Sequence, residues 1–388
     1  MQSPSKLCVA SASAQPVESG LHGWAYLPGD LLESIIALLG SFCDLLAFAA
    51  TCRSWRAAFS SYPSKSSFCA KFPPLLVQFN VPVQGPDLPS NNGRDELHTC
   101  KVIDPTNKNT ALRCQIPREV YQDTHFVGTS YGQLICYCVG YCLLVDVFNG
   151  AEVSAPRLPF NHNFDGRYFS GTLTAPLASP NSHLLVCTVN SLFDWSVGSK
   201  SWSKLQLPYA CIIQIVEFKG QFIAMDDCCN IYTLQLSPQL GLQKVTTEQD
   251  GGLFRLSEYS LAHVDSWLVV CGDMLLMVRV HPYLSVVKCI PYHLDISTNP
   301  AKWVEVKQLD DWALFVGGDV RSQPFSCMSP ERWGGSSKRL YYAGRHSFVL
   351  HGLGDELDPS SGYEYKRNSF SELQPLWVYP SMFYSDIQ

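Results

Sequence analysis

VDVFNGAEVSAPRLP, residues 145–159, and FDWSVGSKSWSKLQLP, residues 193–208, share one plan. Each reads as an apolar strand carrying an Asp, a turn with small residues, a second strand and a closing Leu-Pro. Asp146 precedes Asp194 by 48 residues, and Pro159 precedes Pro208 by 49. HLDISTNPAKWVEVKQL, residues 293–309, is a third copy: Asp295 follows Asp194 by 101 residues, and Trp303 follows Trp202 by 101. Both intervals are close to two periods of about 50, the length of a four-stranded propeller blade. Each copy is then a hairpin within a blade. The repeated tryptophans are expected to pack between blades and not to hold a ligand.

Outward from these hairpins, residues 70–388 continue as short apolar runs broken by Gly, Pro, Asn, Asp and Ser. Examples are LLVQFNV (75–81), QLICYCV (133–139), HLLVCTV (183–189), CIIQIVEF (211–218), SWLVVCG (266–272), MLLMVRV (274–280) and ALFVGG (313–318). No amphipathic helix of three turns interrupts them, which argues against a βαβ enzyme fold. The expected class is mainly β: a propeller of about six blades, with seven still open, preceded by a small three-helix module.

The chain has 388 residues, 46% hydrophobic and only 16% charged, enough apolar content for a large core. Its nine Trp, 18 Tyr and 20 Phe suit strands better than long solvated helices. A net charge of −6 without a basic stripe argues against nucleic acid as a partner. The longest apolar run, Leu134 to Val145, is 12 residues and contains Gly140, so no membrane partner is expected. Sixteen cysteines include no Cys-x-x-Cys, and there is no Asn-x-Ser/Thr. Both features favour a reducing compartment, cytoplasm or nucleus, with cysteine packing as a small hydrophobe. Cys136, Cys138 and Cys142 would share one strand face if Gly140 did not break the run. Cys228-Cys229, beside Asp226-Asp227, reads as a turn.

Helical patterning is concentrated at residues 24–62. LPGDLLESIIALL runs from Leu27 to Leu39, with Asp30 and Glu33 at capping-box spacing. Leu31, Ile35, Leu38 and Leu39 form an apolar stripe that Leu32 and Ile36 widen, and Gly40 is expected to end the helix. Ser41 with Asp44 offers a second cap, and Trp55 and Phe59 lie one turn apart on a third helix. Three short helices cannot bury all these side chains alone, so some must meet a partner.

Leu27-Pro28-x-Asp30-Leu31-Leu32, then Ile35, Leu39, Leu45-Leu46 and Cys52-Arg53-Ser54-Trp55-Arg56, resemble the F-box motif. The resemblance implies docking onto a Skp-type linker protein, and through it a cullin, by way of Leu27, Pro28, Leu31, Ile35, Leu46, Cys52 and Trp55. Thr51 stands where an apolar residue is usual, and Ala47, Ala49 and Ala50 stand where a basic one is common. The following region is similar to the plant KIB-type β-propeller, a kelch-like domain found after F-boxes. GTSYGQLICY (128–137), VFNGAEVSAPRLP (147–159), EFKGQFIAMD (217–226), KWVEVKQLDDWALFVGG (302–318) and RLYY (339–342) carry that likeness.

Catalytic readings fare worse. Gly128-Thr129-Ser130-Tyr131-Gly132 fits a nucleophile elbow, but that chemistry needs a helix after the Ser, and Gln133 to Val139 is strand-like. Its glycines are read as turn residues. Residues 334–338, GGSSK, lack the order of a phosphate loop. His346 and His351 should face opposite sides of a strand, and Asp310-Asp311 belongs in a turn. No cofactor, metal or catalytic residue is therefore expected.

The expected organisation is a disordered tail at 1–23, an F-box at 24–62, a linker at 63–74 and the propeller at 75–388. The expected function is substrate recognition in an SCF-type ubiquitin-protein ligase, by a chain that is not itself an enzyme. The protein substrate is unknown, because loops such as Gln84–Asn92 and Asp355–Ser361 carry no readable code. The alternative is a propeller scaffold that binds partners outside any ligase.

Overall fold

A computed structural model describes residues 23–63, 65–79, 97–117, 124–159, 169–207, 211–248, 265–283, 286–307, 309, 311–344, 347–352, 356–357 and 373–384. The tail expected at 1–23 apart from Gly23, the loop Gln84–Asn92, the loop Asp355–Ser361 apart from Glu356 and Leu357, and Asp310 and His346 lie outside these residues. The chain divides into two compact units, Met1–Tyr62 and Pro63–Gln388. The first holds a 3-10 turn (Trp24–Tyr26) and the helices α1 (Gly29–Leu38), α2 (Phe42–Thr51) and α3 (Arg53–Ser61).

The second unit opens with α4 (Ser67–Lys71), followed by β1 (Leu75–Gln78), β2 (Leu97–Asp104) and β3 (Asn107–Pro117) of blade 1. Blade 2 is β4 (His125–Ser130), β5 (Gln133–Cys138), β6 (Tyr141–Asp146) and β7 (Glu152–Ser154). Blade 3 is β8 (Ser170–Leu173), β9 (His183–Cys187), β10 (Ser191–Ser196) and β11 (Ser203–Gln206). Blade 4 is β12 (Ile212–Phe218), β13 (Gln221–Asp226), β14 (Ile231–Gln235) and β15 (Gly241–Lys244). Blade 5 is β16 (Asp265–Cys271), β17 (Met274–Tyr283), β18 (Val286–Asp295) and β19 (Lys302–Glu305). Blade 6 is β20 (Trp312–Val316), β21 (Phe325–Met328), β22 (Arg339–Ala343) and β23 (Phe348–Gly352). The short β24 (Glu356–Leu357) pairs with β18, and β25 (Leu376–Val378) pairs with β1 to complete blade 1. The described residues thus form six sheets, a six-bladed propeller closed by its C-terminal strand.

The alternation of side chains along a strand explains why these strands read as nearly continuous apolar runs. Residues two apart share a face, and here both faces of a blade are covered by neighbouring blades. On β9, Leu184 and Val186 pack with Val127 and Ile135 of blade 2. Leu185 and Cys187 pack with Ile212 and Ala224 of blade 4. The core therefore lies between the blades.

The repeated hairpins are β6–β7, β10–β11 and β18–β19, the outer pairs of blades 2, 3 and 5. Their aspartates brace the turns. Asp146 Oδ1 accepts from the Phe148 and Asn149 N–H groups at 2.9 and 3.0 Å, and Asp295 Oδ1 accepts from Ser297 N–H at 2.9 Å. Asp194 instead holds His183 Nδ1 at 2.8 Å. The tryptophans join blades as expected: Trp202 Nε1 donates to Pro156 O of the preceding blade at 2.8 Å. Trp303 packs on Phe218, Ile223 and Met225 of blade 4.

Two local readings need correction. The segment read as a linker contains α4, whose Phe68 is buried edge-on to Phe383, while Tyr379 Oη donates to Phe72 O at 3.0 Å. Gly128 sits within β4 and is no turn residue. A Cβ there would collide with Gly171 O of β8, so glycine permits the close approach of two inner strands. Only Gly132, at φ +79°, makes the β4–β5 turn. Blade 6 also departs from a simple meander, because β20 pairs antiparallel with β21 but parallel with β22.

Candidate functional site

The residues expected to dock a partner lie on the helical unit. α1 is apolar around most of its circumference, and the structure shows which part folds the unit. Leu32 and Ile36, one turn apart, are buried with Phe42, Leu45, Phe48 and Phe59. Leu31 is 49% exposed and Leu38 is 84% exposed, with Ile35 half-buried beside them. Leu31, Ile35 and Leu38 thus lie on the outer face, and Leu32 and Ile36, which widen the stripe, make the core. Neither predicted terminus of α1 holds. Asp30 lies inside the first turn while Pro28 takes the N-cap position, and Leu39, in extended conformation, ends the helix ahead of Gly40.

α2 begins as expected. Ser41 Oγ accepts from Asp44 N–H at 3.1 Å and donates to Asp44 Oδ2 at 2.8 Å. At its end Thr51 Oγ1 donates one turn back to Ala47 O at 3.0 Å. Cys52, extended at φ −159°, separates α2 from α3. Its sulfur lies 3.1 Å from Ser54 Oγ, and that hydrogen bond with the Trp55 backbone N–H lowers the thiol pKa. Ser54 Oγ and Trp55 Nε1 donate back to Ala25 O at 2.6 Å and Trp24 O at 2.9 Å. The Trp55 ring lies 4.5 Å from Phe48.

Of the seven expected residues, Pro28 and Leu31 are exposed, and Leu27, Ile35, Leu46, Cys52 and Trp55 are half-buried. None is sealed. Leu31 and Ile35 share one α1 face, and the hydrogen bonds of Ser54 and Trp55 bring Cys52 and Trp55 to the turn preceding Leu27. Three more large apolar side chains, Trp24 (65%), Tyr26 (79%) and Leu38, are exposed on the same unit. The first two were legible as aromatic residues just ahead of the Leu-Pro; Leu38 was legible as part of the apolar stripe but not as a docking residue.

The propeller axis holds a cavity of about 320 Å³ bordered by Thr129, Ser130, Thr172, Gln214, Arg321 and Gln323. Hydrogen bonds from the segment 319–326 tie four blades together across it. Gln323 N–H donates to Thr129 Oγ1 (2.9 Å), Arg321 Nη1 to Phe169 O (3.3 Å) and Ser326 Oγ to Val270 O (2.7 Å). Gln214 Nε2 donates to Ser322 O at 3.5 Å. Arg321 is itself paired with Asp319, Nη2 to Oδ2 at 2.6 Å. Ser130 hydrogen-bonds Thr172 Oγ1 and Leu173 O, and a strand follows it, so it is no nucleophile elbow.

Both oxygens of Asp226 are occupied, by the Cys228 and Asn230 N–H groups and by Asn230 Nδ2 and Tyr232 Oη, bracing the β13–β14 turn. Cys142 stands opposite Tyr137 and so faces away from Cys136 and Cys138, as the Gly140 turn implied. Burial lowers the His351 pKa to about 4, so its imidazole is neutral. Among the described residues no helix is long and apolar enough to cross a membrane.

Exposed apolar helices joined in one chain to a six-bladed propeller define a class of F-box-like propeller proteins. An F-box-like family model matches residues 24–62, and a KIB1-4 beta-propeller model matches residues 102–356. The chain belongs to the KIB1-4 beta-propeller family. It is similar to the Arabidopsis thaliana F-box/kelch-repeat protein At2g24250, 26% identical over 79% of this chain and 78% of that protein. It is also similar to the Arabidopsis thaliana F-box protein At2g26160, 24% identical over 82% of this chain and 95% of that protein. Likeness to solved structures is looser: AztD from Citrobacter koseri is 13% identical with a TM-score of 0.30, covering 60% of this chain and 61% of that one.

Proposed function

We propose that the chain is the substrate-recognition subunit of an SCF-type ubiquitin-protein ligase. Its helical unit docks a Skp-type linker protein and through it a cullin, and its propeller holds a target protein. The observation that carries this reading is the outer face of α1, where Leu31 and Leu38 stand in solvent although the same helix buries Leu32 and Ile36. A cluster of exposed apolar side chains on a small unit is what a partner's hydrophobic groove covers. The F-box-like match and the F-box relatives support the same reading. The chain acts without chemistry of its own. Holding a target beside a charged conjugating enzyme raises the effective concentration of its lysines. We place this work in the cytoplasm or nucleus.

The test is co-precipitation of the full chain with a Skp-type protein. Leu31→Asp abolishes it while thermal unfolding of the propeller is unchanged. Trp55→Ala also abolishes it, although part of that loss comes from the Phe48 contact inside the unit. Unchanged binding of Leu31→Asp overturns the docking face. A chain that binds target proteins yet never enters a stoichiometric complex with a Skp–cullin pair is a propeller scaffold instead.

A further inference from the structure

Cys100 and Cys114 confront each other across the outer hairpin of blade 1. The register of β2 on β3 sets them directly opposite. Both side chains are buried, and the two thiols are hydrogen-bonded to each other. In the strand registers of the described residues no other cysteine opposes a cysteine; Cys136 faces Leu143, Cys187 faces Leu192 and Cys271 faces Met274. Opposed residues in an antiparallel pair have Cα atoms about 4.5 or 5.5 Å apart. Both values fall within the roughly 4.4–6.8 Å that a disulfide spans, so a bond here needs no change of register.

We propose that Cys100 and Cys114 are a redox-convertible dithiol that closes to a disulfide across the β2–β3 hairpin when the chain meets a peroxide. One thiolate attacks the O–O bond of hydrogen peroxide and becomes a sulfenic acid, releasing one water. The second sulfur then displaces that oxygen as a second water and forms the S–S bond. Two thiols are oxidised and one peroxide is reduced. The hydrogen bond to Cys114 and burial both raise the Cys100 pKa, so the first step waits on local opening of the hairpin and is slow. The geometry decides where the oxidation ends. The resulting bond staples the outer strands of the blade whose inner edge receives β25.

The experiment treats the folded full-length chain with hydrogen peroxide, alkylates the remaining thiols in denaturant, digests without reductant and maps linked peptides by mass spectrometry. The expected product joins the Cys100 and Cys114 peptides, two hydrogens lighter than their sum, with loss of two alkylatable thiols and recovery of both on adding dithiothreitol. Cys100→Ser and Cys114→Ser each lose the linked product. The wild-type map stands independently of how either variant folds. Full alkylation of Cys100 and Cys114 in chains already oxidised at the exposed Cys228 overturns the proposal, as does linkage of either residue to a different cysteine.

Discussion

The two units dispose of their large apolar side chains in opposite ways. In the propeller, Trp267 and Trp377 are completely buried, and neighbouring blades cover both faces of a strand. In the helical unit, Trp24, Tyr26, Leu31 and Leu38 remain in water. Size is part of the reason, because three helices of about ten residues have too little interior for every apolar side chain. The contrast teaches that apolar patterning alone does not define a core. A segment that is apolar on two faces folds with one and offers the other.

The strongest attack on the propeller side is Trp377→Ala. Its ring meets Phe315 edge-on at 5.0 Å, and Nε1 donates to both Val316 O and Tyr341 O at 3.1 Å. The loss should be about 3–5 kcal/mol, read as a large fall in the denaturation midpoint. Leu32→Ala attacks the inner face of α1 and should cost about 2–4 kcal/mol, melting the helical unit in far-UV circular dichroism while propeller unfolding persists. Asp265 tests the propeller differently. Burial, and after it Asp319, pushes its carboxyl up to about 7 from 3.8, so the native state holds the proton longer than the unfolded chain does. Stability therefore declines as pH rises from about 4 to about 7. Asp265→Asn should flatten that decline in denaturation curves taken at pH 5 and pH 8. Ser41→Ala removes the α2 cap and should cost about 1 kcal/mol. Leu31→Ala closes the series: stability should move by less than about 0.5 kcal/mol, while affinity for a Skp-type protein falls at least several-fold.

The parts of this architecture visible in the sequence were those made by local chemistry. Asp146 and Asp295 recur because each braces its own turn, and Trp202 and Trp303 because each seals a blade against the one before it. Ser41 was readable as a cap for the same local reason. What was hidden depended on distant partners. The parallel pairing of β20 with β22 is a matter of register that no hairpin signal announces. α4 resembled a linker because its Phe68 packs edge-on to Phe383, more than 300 residues on. The inner and outer faces of α1 could not be told apart while Leu31 and Leu32 were equally apolar letters. The docking residues themselves came into view through motif likeness, which periodicity cannot supply.

The strand β25 has a bearing on how the molecule is made. It supplies the innermost strand of the blade begun by β1, whose four residues are all buried. A ribosome must therefore deliver residue 376 before the ring can shut. Until then β1 presents Leu75–Gln78 as an open, greasy edge, ready to recruit a strand from another nascent chain. Premature termination after Leu357 and before Leu376 leaves every blade motif but the last strand in place and still yields an unsealed, aggregation-prone product. For this molecule the final strand is a release criterion, and chaperone dependence should track its synthesis.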